Sequence, residues 1–176
     1  MTYNLNNKHA LVCGSSQGIG EAIAKKFARA GSLVTILARN EQKLSSLKSE
    51  LDQINNRNNH ILVADLDEPE KLKKLIQNHI KETNLFNILI NNSGGPAPGK
   101  ISEANKNEFI ETFKRHLISS HIITKEILPG MKEKKYGRII NIISTSVKQP
   151  IENLGVSNTI RASVASWAKT LSQEVG

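Results

Sequence analysis

The chain has 176 residues, 38% apolar and 4% aromatic, and its 24 Lys and Arg outweigh 16 Asp and Glu for a formal charge of +8. That length suits one domain with a single core, no apolar run reaches the roughly 18 residues of a membrane span, and the polar start from Met1 to Lys8 lacks an apolar signal core, so a cytoplasmic protein is expected. A lone cysteine, Cys13, excludes an internal disulfide and a cysteine metal cluster, and sparse aromatics with scattered basic residues exclude a nucleic-acid platform.

The first predicted strand, residues 9–13, is a continuous apolar run that leads into Gly14-Ser15-Ser16-Gln17-Gly18-Ile19-Gly20. A helix is predicted over 18–30. Glycines let the backbone turn tightly and bring its N–H groups against an anion, and the helix points its positive end at the same place. The spacing G-x-x-x-G-x-G departs from the usual G-x-G-x-x-G fingerprint. An ordinary tight strand–helix turn is the plainer reading; a dinucleotide phosphate site is the sharper one. Ser15, Ser16 and Gln17 have side chains that can add donors to it.

A second strand over 33–37 runs into Ala38-Arg39-Asn40, and a helix follows over 41–54. Arg39 stands where an NAD-binding sheet would place a carboxylate for the ribose 2′-hydroxyl. A guanidinium suits a 2′-phosphate instead, which points to NADP over NAD; the plainer reading is a solvated loop cation. The polar loop 55–59 leads to a strand over 61–64 and then to Asp65 and Leu66. The Asp65 carboxylate can meet an adenine amine or close an Asx turn ahead of the helix predicted over 69–82, a role for which Asp67 competes. A fourth strand over 87–91 ends in Asn91-Asn92-Ser93-Gly94. Its amides and Gly94 can line the cofactor ribose. A glycine- and proline-rich loop, 94–99, precedes a long helix predicted over 103–131. A fifth strand over 138–143 and a final helix over 155–174 complete the pattern.

Short apolar strands alternating with amphipathic helices predict an α/β fold, an open, doubly wound parallel sheet. Six strands are usual in a dinucleotide sheet, and five are found, leaving the fifth as an unprotected edge. The chain is therefore expected to be a single nucleotide-binding domain, 1–176, lacking its C-terminal strands. Val156, Ile160, Val164, Trp167 and Leu171 share one face of the last helix, as core or subunit interface.

Taken together, G-x-x-x-G-I-G, the strand-end Arg39, Asp65-Leu66, Asn91-Asn92-x-Gly94 and Gly137-Arg138-Ile139-Ile140-Asn141-Ile142-x-Ser144 resemble the short-chain dehydrogenase/reductase family, in particular its 3-oxoacyl carrier-protein reductase branch. The resemblance implies a Rossmann fold, a nicotinamide cofactor held at residues 14–20, 39, 65–66, 91–92 and 94, a carbonyl or alcohol substrate, and a homodimer or homotetramer built through the two longest helices. The catalytic half departs from the family pattern. Ser144 matches the family's serine. Where the tyrosine and lysine would follow stand Ser157 and Arg161, and His116 occupies the asparagine position. A serine hydroxyl is a far weaker acid than a phenol, and a guanidinium does not lose a proton. Arg161 and Ser157 would then contact the nicotinamide ribose or an acidic substrate. Two routes for the proton remain open: His116 titrating near neutrality and reaching the substrate oxygen directly or through water, or a water or the substrate itself delivering the proton to a carbonyl polarised by Ser144 and Arg161. The same residues fit a non-catalytic nucleotide-binding or regulatory protein.

Overall fold

In the computed structural model, which describes residues 4–83 and 85–176, β1 (His9–Cys13) is buried along its whole length. Met1, Thr2 and Tyr3, at the polar start, lie outside the described residues. Because side chains alternate across a strand, Ala10 and Val12 face one layer of helices while Leu11 and Cys13 face the other. That two-sided burial explains the unbroken apolar run in the sequence.

Four more strands, β2 (Leu33–Ala38), β3 (His60–Val63), β4 (Ile88–Asn91) and β5 (Arg138–Asn141), complete a parallel sheet in the order β3-β2-β1-β4-β5. Val12 is opposite Ile36 on one side and Ile90 on the other. The strand order reverses at β1, so a crevice opens at the carboxyl ends of β1 and β4. Helices α1 (Gly18–Arg29) and α2 (Glu41–Asn55) cover one face through Ala24, Ala28, Leu44, Leu47 and Leu51. On the opposite face α3 (Pro69–Glu82) packs Leu72 and Ile76 against Leu11, Leu37 and Phe86.

The helix predicted over 103–131 is broken in the structure. It begins as α4 (Lys106–Phe113), where Asn105 and Glu108 form a reciprocal capping box. It passes through a π turn at Lys114–Ile118 and continues as α5 (Ser119–Glu133), which adds Ile123, Ile127 and Met131 to the second core. One inserted residue leaves the apolar spacing on either side of such a turn intact, so the sequence pattern does not mark it. The last helix, α6 (Gly155–Val175), buries Val156, Ile160 and Val164, and Trp167 meets His121 edge to face. Strand limits differ from expectation by a residue or two, most at β5, which ends at Asn141.

At the opposite end of the sheet from the crevice, His9 Nε2 lies 2.8 Å from Thr35 Oγ1, which is 3.2 Å from His79 Nε2. Burial pushes His79 down to about 4.

Candidate active site

The loop after β1 forms the floor of a cleft of about 560 Å³. Gly14 and Gly18 both take positive φ, +58° and +62°, a conformation that glycine adopts without the penalty a Cβ brings. Asn92 Nδ2 donates to the carbonyls of Cys13 and Gly14, tying the β4 loop to the β1 loop. A Cβ at Gly14 would come within 2.7 Å of the Asn92 carbonyl oxygen, and one at Gly20 within 2.3 Å of the Gly14 oxygen. A Cβ at Gly18 would meet nothing within 4 Å, since it would project into the cleft. Gln17, at the N-cap of α1, makes no side-chain capping bond, so the first N–H groups of α1 are left for an anion.

Ser15 does not serve as expected. It is fully buried, and its Oγ donates to the Leu37 carbonyl, which turns it away from the cleft. Ser16, Gln17, Gly18 and Ile19 do line the cleft, with Gln17 Oε1 accepting from Lys43 Nζ. Ile19 holds its apolar side chain 60% exposed there.

At the other end of the cleft, Arg39 is 73% exposed and sits 3.7 Å from Asp65. Asp65 Oδ1 accepts from the Asp67 backbone N–H, so its carboxylate both closes an Asx turn and faces Arg39. Asp67 takes no capping role. It receives Arg115 through two groups, Nε to Oδ1 at 2.9 Å and Nη2 to Oδ2 at 2.6 Å. Leu66 lines the cleft, and its carbonyl accepts from Ser119 Oγ. Arg115 and Lys43 also line the cleft, though the sequence did not single them out. Arg115 could have been found only through its partner, because Asp67 lies far away along the chain. Lys43 lies one helical turn past Arg39, a spacing that could have suggested it.

Asn91 is set back from the cleft. It is buried within the sheet, where its Nδ2 donates to Asn141 Oδ1 at 2.8 Å. Asn92, Ser93 and Gly94 form the wall instead. Ser93 Oγ meets His116 Nδ1 at 2.6 Å, a contact made possible by the π turn, which carries Arg115 and His116 together toward the β4 loop. His116 is 4% exposed, and its Nε2 has no hydrogen-bond partner among the described residues. Burial first, then the Arg161 and Arg115 charges, push it down to about 4, with the Gly94 backbone and Asp67 opposing. The expectation of a histidine titrating near neutrality is therefore corrected: this imidazole is neutral at pH 7.

Beyond β5, Ser144 Oγ accepts from the Ser146 N–H at 3.1 Å, capping a short 3₁₀ turn at Thr145–Val147. At the start of α6, Ser157 is buried and accepts from Arg161 Nε at 3.3 Å, while Arg161 Nη1 donates to the Ile142 carbonyl at 3.1 Å. A Cβ at Gly95, which lines the cleft, would stand 3.4 Å from Arg161 Nη2, while Arg161 itself stands behind the residues that line it. Tyr136 is elsewhere, beneath Lys8 at the amino end of β5.

These residues fit a dinucleotide diphosphate with a 2′-phosphate. The α1 terminus has no side-chain cap, the Gly18 position is open, and Arg39 and Lys43 line the same cleft.

Comparison with known proteins agrees with this geometry. The chain is 31% identical over 168 residues to a protein of Streptomyces violaceoruber named as a ketoacyl reductase of granaticin polyketide synthase; the match covers 94% of this chain and 61% of that one. It is 30% identical over 174 residues to the 3-oxoacyl-[acyl-carrier-protein] reductase of Vibrio cholerae, covering 98% of this chain and 69% of the relative. Among solved structures, the L-sorbose reductase of Gluconobacter frateurii, in complex with NADPH and L-sorbose, superposes with a TM-score of 0.93 at 26% identity over 99% of this chain and 66% of its own. The chain thus spans about 61% of the length of the first of these relatives. A sequence profile described as short chain dehydrogenase matches residues 8–176, and the chain belongs to that family.

Proposed function

We propose that this chain binds NADP(H) and takes part in interconverting a carbonyl and an alcohol. The observation that carries this reading is that the uncapped N-terminus of α1 and the exposed Arg39 open onto one cleft. The NADPH in the sorbose reductase complex supports the choice of cofactor. When bound, the nicotinamide supplies or accepts a hydride.

Gly14, Gly18 and Gly20 shape the diphosphate cradle, Arg39 with Lys43 holds the 2′-phosphate, and Asn92 and Gly94 bound the ribose. Ser144 accepts its hydrogen bond from a backbone N–H, so its own O–H is left to donate to a substrate oxygen. Arg161 adds positive charge on the same side and holds no proton that it can give up. His116 stays neutral and serves to position Ser93 and the cleft wall. In this arrangement the proton reaches the substrate oxygen from water, and Ser144 orients and polarises that oxygen.

A second reading is favoured by the combination of Ser157 and Arg161 with a histidine held neutral: a nucleotide-binding regulatory protein without turnover. Steady-state NADPH consumption over a panel of ketones and aldehydes separates the two. Turnover that falls at least tenfold in Ser144→Ala supports the reductase. NADPH binding with no turnover on any substrate class supports the regulatory protein. A homodimer or homotetramer through the longest helices belongs to the same proposal, with exposed Ile110 and Phe113 of α4 available beside them. The cytoplasm is the setting that fits it.

A further inference from the structure

Arg161 is a half-buried cation without an acid. No carboxylate of the described residues lies within ion-pair distance of it, whereas Arg115, one helix away, has Asp67. Its partners are neutral: the Ser157 hydroxyl and the Ile142 carbonyl. They engage Nε and Nη1, and Nη2, beside Gly95 of the cleft wall, has no acceptor among the described residues. Next to it stands His116, buried, with an unpartnered Nε2. A partly desolvated guanidinium held by neutral groups alone is costly, and an entering anion removes that cost. The planar fork of Arg161 matches a carboxylate better than any neutral oxygen.

We propose that the substrate of this site carries a carboxylate, which Arg161 binds beside Gly95 of the cleft wall. The Nε and Nη1 contacts fix the guanidinium with Nη2 beside Gly95, so it is pre-organised before the acid arrives. This rests on the reductase reading for the identity of the reacting group, but the anion site is built from protein groups alone and can be tested without turnover.

The experiment is a calorimetric titration of the full chain, with and without saturating NADP+, using acetoacetate, 2-oxoglutarate and their methyl esters. At least one acid is expected to bind at least tenfold more tightly than its ester. Arg161→Gln should abolish that difference, and Arg161→Lys should retain part of it. Equal affinity of acid and ester, no binding of either acid, or an unchanged difference in Arg161→Gln would overturn the proposal. So would an Arg161→Gln variant whose NADP+ affinity falls as much as its acid affinity, since Arg161 would then belong to the cofactor. Should Arg161→Gln fail to fold, Arg161→Lys decides: acid affinity unchanged from the parent, with the ester still tenfold weaker, overturns the role of the fork. If NADP+ itself does not bind, the reductase reading fails, and the titration without cofactor still reports on the anion site.

Discussion

Ser93 Oγ and His116 Nδ1 lie 2.6 Å apart, joining the exit loop of β4 to the π turn between α4 and α5. The contact is made between two segments whose chain separation conceals it, and it places a neutral imidazole behind the cleft wall. The ionisation of this histidine sets the first prediction.

An unfolded chain protonates His116 near its ordinary value of 6.5, whereas the folded chain does so only at about 4. Between those values the unfolded state binds more protons, so stability is whole above pH 6.5 and is lost as pH falls toward 4. His79, also held at about 4, adds to the same slope. At about 1.4 kcal/mol per unit of displacement, the loss is on the order of 1–3 kcal/mol per histidine. Urea midpoints at pH 7.5 and 4.5 should differ accordingly, and His116→Asn should flatten the difference. An unaltered slope in that variant would mean that His116 is solvated.

Two glycine substitutions should part ways. Gly20→Ala forces a Cβ against the Gly14 oxygen and should cost the fold at least 2 kcal/mol. Gly18→Ala meets no protein atom, and its positive φ adds only about 1–2 kcal/mol. It should stay folded and lose at least tenfold in NADPH affinity, because its methyl enters the space of the diphosphate. Circular dichroism with fluorescence titration reads both; NADPH affinity retained in Gly18→Ala would place the phosphates elsewhere.

Arg39 should confer cofactor preference. NADPH should bind at least tenfold more tightly than NADH, corresponding to a charge-assisted contact of about 1.5 kcal/mol. Arg39→Ala should bring the two together, and Lys43→Ala should close part of the gap. A parent protein that binds both equally refutes the assignment.

The Arg115–Asp67 pair is bidentate and about 70% shielded on both sides, so it should exceed the value of an open surface pair. A double-mutant cycle with Arg115→Gln and Asp67→Asn should give a coupling of about 1–2 kcal/mol in thermal or urea unfolding. A coupling near zero would show that the pair is solvated despite its geometry.

Much of this fold was readable in the order of residues, because parallel strands buried on both faces must be apolar throughout and each ends in a turn of distinctive composition. The run from His9 to Cys13 and the glycines after it illustrate this. The π turn was not readable, since one extra residue in a helix leaves the apolar spacing on either side intact. Nor was the inward direction of Ser15, whose Oγ found the Leu37 carbonyl of a neighbouring strand. At the substrate end, the types of Ser144, Ser157 and Arg161 announced an altered chemistry. That Arg161 has no acid beside it among the described residues could be learned only in three dimensions, because a missing partner leaves no mark on the chain.

Cys13 closes β1 directly beneath the glycine loop, buried on all sides, with its thiol pushed up to about 12. A thiol so protected is inert to alkylating reagents for as long as the loop above it and the helices beside it stay in place. Its labelling rate therefore counts openings of the core that α3 and α5 form against the sheet. Since it is the sole cysteine, that count needs no engineered probe, and slower labelling upon addition of a nucleotide would measure how firmly the bound ligand holds the sheet closed.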